Sequence, residues 1–330
     1  MLQKRIKAVP TVNQVPILAL ERRKAVYRDS EHEHTVLRPE ATENFILTPT
    51  VERVVKRAHA YLKGGYAIHF SGPAGSGKTT LAFYLASLLG RPVVVVYGDE
   101  EYSTADLLGG EQGFRRSKTV DNFIHSVLKV DENMSKDWID HRLTLACKNG
   151  YTLLYDEFNR SRPEANNILL SVLEEKLLCM PSHYTGGNAY QTVHPEFRAI
   201  FTSNPMEYAG IHDTQDALVD RMITIGLGCP DMDTEVKIAR AKSGLPIEDV
   251  ETIVKIVRKL REKGRNHSRP TIRASIMIAK MLVQEGIPVA PGKDFLEICS
   301  DILGTSSNGD ARGLTLDDVM PYFSKENSKG

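Results

Sequence analysis

Gly72-Pro73-Ala74-Gly75-Ser76-Gly77-Lys78-Thr79 fits the pattern GxxxxGK[ST] at every constrained position, and its flanks decide what the match means. Before it, Tyr66 to Ser71 reads as a short buried strand. After it, Thr79 to Leu89 reads as a helix stopped by Gly90. A loop of this composition between a strand and a helix has a physical purpose. Its glycines let the backbone curl until successive N–H groups converge on phosphate oxygens, and the helix behind adds its positive end. Lys78 then reaches the β- and γ-phosphates, and the Thr79 hydroxyl is suited to hold Mg²⁺. The candidate nucleotide-binding residues are Gly72, Pro73, Ala74, Gly75, Ser76, Gly77, Lys78, Thr79 and Thr80.

The strand–helix rhythm continues on both sides. Thr48-Pro49 opens a helix that Gly64-Gly65 closes. Val93 to Tyr97 carries four consecutive valines, as expected of a strand covered on both faces. Tyr151 to Tyr155, Arg198 to Thr202 and Met222 to Ile225 are further strands, so the fold class is α/β, a parallel sheet covered by helices. Past Gly226-Leu227-Gly228-Cys229-Pro230 only helices follow: Thr234 to Ser243, Ile247 to Lys263, Thr271 to Glu285, Lys293 to Gly304 and Thr315 to Phe323. Three parts are expected: a polar N-terminal arm over 1–44, with a short helix around Leu18 to Tyr27, a nucleotide-binding part over 45–228, and a small all-helical part over 229–330.

Composition narrows the function classes. With 330 residues, 41% of them hydrophobic, the chain can bury a substantial core. Its 42 basic and 42 acidic residues cancel, which excludes charge-driven disorder and argues against a generally basic nucleic-acid binder. No apolar run approaches the roughly 20 residues that span a bilayer. Val15 to Leu20 is too short for a signal-peptide core, and the four cysteines are scattered without a CxxC pair. A soluble, reduced, cytoplasmic protein is expected.

Leu153-Leu154-Tyr155-Asp156-Glu157 is an apolar strand ending in two carboxylates. Downstream of a phosphate loop, Asp156 suits the Mg²⁺ shell and Glu157 suits orienting or deprotonating water. A kinase passes its phosphoryl group to a bound acceptor and needs no base aimed at water, so the adjacent pair favours hydrolysis. Phe201-Thr202-Ser203-Asn204-Pro205 ends another strand in an amide, and Asn204 is placed to hold water or touch the γ-phosphate; an ordinary turn before proline is the plainer reading. Arg221 and Arg273 are surface ion-pair residues by default. Taken as a set, they are candidate charge-neutralising donors for the γ-phosphate. Glu31-His32-Glu33-His34 has ligand chemistry but no partner cluster and reads as solvated loop. Ser161 and Glu164 have capping-box spacing.

This order of motifs resembles the AAA+ ATPase family over about residues 45 to 285. Asp156-Glu157-Phe158-Asn159-Arg160, Ala217-Leu218-Val219-Asp220-Arg221 and Ile272-Arg273-Ala274-Ser275 are similar to the motifs of its MoxR-type branch. Closer still, Tyr155 to Glu175 and Thr202 to Gly210 look like the ATPases of gas-vesicle gene clusters. The resemblance implies ATP and Mg²⁺ as cofactors, and a homo-oligomeric ring, commonly a hexamer, with nucleotide at subunit interfaces. It implies catalytic roles for Glu157, Asn204, Arg221 as a trans-acting finger and Arg273 in a C-terminal lid, with Arg160 and Arg162 as rivals to Arg221. It implies two pore-facing hairpins, Leu177 to Val193 with its turn at Gly186-Gly187-Asn188, and Gly110 to Val120. The implied partners are a gas vesicle shell protein or other gas vesicle assembly proteins, handled in a chaperone-like way. A MoxR-type chaperone for another complex and a nucleotide-switched binding module are the alternatives; DNA remodelling is the weakest.

Overall fold

The computed structural model describes residues 36–38, 45–121, 129–181, 184, 188–205, 216–263, 270–303 and 319–323, with backbone alone for 111–121, 129–137 and 263. The expected short helix near Leu18, the Glu31-His32-Glu33-His34 stretch and the Gly186-Gly187 turn lie outside the described residues.

Six strands form the central sheet: β1 (Val36–Leu37), β2 (Ala67–Ser71), β3 (Val93–Tyr97), β6 (Thr152–Asp156), β9 (Arg198–Ser203) and β10 (Met222–Gly226). The two intervening strand pairs are hairpins, β4 (Gly109–Asp121) with β5 (Lys129–Asp140) and β7 (Leu177–Cys179) with β8 (Tyr190–Thr192). In space the order is β1-β3-β6-β9-β2-β10, parallel throughout except for the antiparallel edge strand β1. The expected parallel sheet is therefore present. Because β2, β6 and β9 run side by side in one direction, the loop after β2 and the polar ends of β6 and β9 all emerge at one edge, where open α/β sheets bind ligands.

Alternation along the strands divides the core. Ile68 and Phe70 face α1 (Pro49–Lys63) and α2 (Lys78–Leu89), packing with Leu62, Leu81 and Leu85. Leu153, Tyr155, Phe158 and Phe201 face the other side, with α3 (Thr104–Leu108), α4 (Arg142–Asn149), α5 (Pro163–Asn166), α6 (Ile168–Leu173) and α7 (Asp216–Val219) among the elements there. The expected capping box at Ser161 does not form. Pro163 starts α5 and Arg162 takes the cap position, because the Ser161 hydroxyl is already engaged by the Asp99 amide (3.0 Å) and the Tyr155 hydroxyl (2.8 Å).

After β10 come α8 (Met232–Ser243), α9 (Ile247–Lys263), α10 (Ile272–Glu285) and α11 (Lys293–Leu303). Phe295, Ile278, Val257 and Leu282 form a core of their own there. Of the expected last helix, Thr315 to Phe323, residues 315–318 lie outside the described residues; Val319 is helical and Met320–Tyr322 make a 3₁₀ turn. Two polar ties orient these helices. Thr48, which caps α1, is hydrogen-bonded to Thr234 of α8 (2.8 Å). Glu235, fully buried, accepts from Arg261 (2.6 Å) and lies 3.4 Å from Arg258, while Arg261 also donates to the Pro270 carbonyl (2.6 Å) just before α10. Among the described residues, no helix is long and apolar enough to cross a membrane.

Candidate active site

The loop between β2 and α2 is built at close quarters. A β-carbon on Gly72 would collide with the Leu227 carbonyl oxygen, since the Leu227 amide donates to Ser71 (2.7 Å) and brings that strand end against the loop. Gly75 has φ +74, and a β-carbon there would lie 2.5 Å from Cβ of Thr271. Only glycine fits both demands. Lys78, at the start of α2, is buried and donates to the carbonyls of Gly72 (2.8 Å) and Pro73 (2.9 Å). The ammonium therefore lies over the loop's own mouth, beside the helix end that favours anions.

Next to it, Thr79 Oγ1 donates to both carboxylate oxygens of Asp156, at 2.8 and 3.0 Å. Asp156 ends β6 and is only 7% exposed, so it needs these partners. A third hydrogen bond comes from a second partner, Thr202 on the adjoining strand β9, whose hydroxyl donates to Asp156 Oδ1 (2.5 Å) and accepts from the Glu157 amide (3.0 Å). The sequence reading missed Thr202. Its signal was a hydroxyl breaking the apolar run Ala199-Ile200-Phe201 one strand away from the carboxylates. A hydroxyl and a carboxylate, both hard oxygen donors, are the ligand set that suits Mg²⁺.

Glu157 stands apart from Asp156 by its backbone. Its φ of 53° is left-handed, at a cost of about 1 to 2 kcal/mol for a residue with a side chain. The hydrogen bond from its N–H to the Thr202 hydroxyl holds it there, and Gly98 packs so tightly on its carbonyl that a β-carbon would collide. The turn sends the side chain out, where it meets Arg160 at 3.0 Å. Asn204 follows β9 and is buried, its carbonyl accepting from Asn159 Nδ2 (3.4 Å).

The structure brings Thr79, Asp156 and the loop together. The arginines differ. Arg221 donates to Glu174 through Nε (2.6 Å) and to the Ala217 carbonyl through Nη1 (2.6 Å), so its guanidinium rests on the partly exposed α6–α7 side of this chain. Arg273 is exposed on the first turn of α10, its amide bonded to the capping Thr271 hydroxyl (3.2 Å), two residues beyond the Thr271–Gly75 contact. Arg160 and Arg162 are both exposed.

The profile of the AAA domain, dynein-related subfamily, matches residues 68–222, from the phosphate-loop strand to the start of β10. In solved structures, a RuvB point mutant from Thermotoga maritima shares the fold, with TM-score 0.50 and 19% identity over 84% of this chain and 76% of that one. Fold and site together define an ATP-hydrolysing enzyme of the AAA+ class. The chain is 47% identical to the gas vesicle ATPase GvpN of Ancylobacter aquaticus, over 82% of this chain and 75% of that protein. It is 42% identical to the gas vesicle ATPase GvpN1 of Halobacterium salinarum, over 82% and 78% of the respective chains. It belongs to the gas vesicle ATPase family.

Proposed function

We propose that this ATPase promotes gas vesicle formation by chaperone-like remodelling of shell or assembly proteins, working as a ring, most simply a hexamer. The observation that carries the chemistry is the Thr79–Asp156 contact at 2.8 Å beside the buried Lys78. In this reading Gly72 to Thr80 cradle the phosphates, and Lys78 leaves its loop carbonyls to meet the β- and γ-oxygens. Thr79 and Asp156 would hold Mg²⁺, which neutralises charge developing on the transferring group. Glu157 accepts a proton from water, and Asn204 orients that water or the γ-phosphate. Arg221 reaches the nucleotide of a neighbouring subunit, and Arg273, in a lid formed by residues 229–330, closes from within. The β7–β8 hairpin, expected from the family resemblance, faces the pore, as does the β4–β5 hairpin, in which Gly110 to Val120, expected to be a hairpin by itself, is a single strand paired with β5.

The vesicle assignment rests on the identity with gas vesicle ATPases. A shell apolar enough to enclose gas is built from protein that aggregates unless its delivery is managed, and hydrolysis makes capture and release directional. The test is electron microscopy of deletion cells complemented with wild-type or Glu157→Gln protein. The expected outcome is full-sized vesicles with the first and absent or stunted vesicles with the second. Full-sized vesicles with both leave a binding or switch role.

A further inference from the structure

His69 sits in the middle of β2, two residues before the strand ends at Ser71, on the sheet side whose core holds Ala67, Tyr155 and Phe201. It is 5% exposed. Both ring nitrogens are used: Nε2 is hydrogen-bonded to Ser203 Oγ on β9 (2.8 Å) and Nδ1 to Thr224 Oγ1 on β10 (3.0 Å). Burial holds the ring neutral, its pKa lowered to about 4. A neutral imidazole has one donor and one acceptor, so one hydroxyl accepts and the other donates, and all three groups are satisfied. The edge of the ring also meets Phe158, with centroids 5.2 Å apart at 89°.

These contacts land beside the residues assigned to chemistry. Ser203 immediately precedes Asn204, and it is gripped twice by the phosphate-loop strand: its hydroxyl by His69, its carbonyl by the Gly72 amide (3.3 Å). Phe158 immediately follows Glu157. The backbone ladder sets the register of β2 and β9, and the His69–Ser203 bond adds a side-chain tie at its end, where the chain leaves β9 for Asn204. We propose that His69 is a positioning residue for ATP hydrolysis, setting Asn204 against the phosphate loop through Ser203. The proposal rests on Asn204 acting at the γ-phosphate or its water.

The experiment measures kcat and KM for ATP on the full chain, with thermal melts as a folding control. The variants are Asn204→Ala, His69→Phe, Ser203→Ala and each of the last two combined with Asn204→Ala. His69→Phe and Ser203→Ala are each expected to lower kcat roughly ten- to a hundredfold, with KM moving less than about threefold. In the Asn204→Ala background, each should cost less than about a further twofold, because the path runs through the missing amide. Wild-type kcat in both single variants overturns the proposal, as does an undiminished loss in the Asn204→Ala background, which marks a general structural effect. Wild-type turnover by Asn204→Ala overturns the reading beneath it as well. Should His69→Phe fail to fold, Ser203→Ala decides alone, since it removes one oxygen and keeps the carbonyl grip of Gly72.

Discussion

Arg160 Nη1 lies 3.0 Å from Glu157 Oε2, on the same turn and three residues away. The pair joins the carboxylate assigned to water with one of the two arginines that rival Arg221. Both side chains are close to half exposed, at 48% and 42%, and an ion pair so open to solvent is worth little. Glu157 is thus tethered but not locked, which is what a base needs if it must turn toward water once nucleotide is in place.

Glu157→Gln keeps Lys78, Thr79 and Asp156 and so should bind ATP like the wild type. Turnover should fall roughly 10²- to 10⁴-fold, the usual worth of a general base. Lys78→Ala should instead weaken binding itself. Equilibrium titration with a fluorescent nucleotide beside steady-state hydrolysis separates the two. Wild-type hydrolysis by Glu157→Gln removes Glu157 from its role.

Arg221→Ala should leave ATP binding intact and cut turnover by about 10³ to 10⁵, as for trans-acting arginines in related NTPases. Its Glu174 partner is 56% exposed, so the fold should lose little stability. Mixing Arg221→Ala with Lys78→Ala subunits should restore part of the activity, because an intact pocket then faces an intact finger. No recovery in mixed rings shown to form transfers the role to Arg160 or Arg162.

Thr202→Val removes the hydroxyl shared by Asp156 and the Glu157 amide. The buried carboxylate loses one of its two threonine donors, and the strained turn loses its anchor, at a cost of about 1 to 3 kcal/mol in folding stability. Hydrolysis should also require more Mg²⁺ for half-maximal rate. Urea unfolding and a Mg²⁺ titration of activity check the two effects, and a variant unchanged in both refutes the holding role.

The neutral His69 predicts an acid-sensitive fold. Its pKa is about 4 in the folded chain against 6.5 when exposed. Between those values the unfolded state binds the extra proton, so stability falls as pH drops from about 6.5 to 4 and levels off below. The loss attributable to this ring is about 3 kcal/mol. Urea unfolding at pH 7, 5.5 and 4 should show this slope in the wild type and a shallower one in His69→Phe. Parallel slopes would place the acid sensitivity elsewhere.

Much of the site was legible because its parts are local. Lys78 and Thr79 follow from the loop pattern, and Asp156 from an apolar strand that ends in charge. Strand β5 was not legible: Lys129 to Asp140 is rich in charge and lacks the alternation of a half-buried strand, so only pairing with β4 reveals it. Thr202 and His69 escaped for a different reason. Their importance lies in which strands are neighbours: Thr202 meets Asp156 across 46 residues of chain, and His69 meets Ser203 across 134. The Ser161 capping box failed because a hydroxyl that already accepts from Asp99 and Tyr155 has no lone pair to spare for its own helix.

The contact between Gly75 and Thr271 has a mechanical meaning. The tip of the phosphate loop and the cap of α10 share one wall with no space in it. Any swelling of the loop around an incoming nucleotide pushes directly on the helix that bears Arg273, and any tilt of that helix presses on the loop. Loop and helix would then move as cam and follower, their clearance set by a missing methyl group. Even alanine at position 75 would act as a permanent shim, prising the helix outward before any nucleotide arrives.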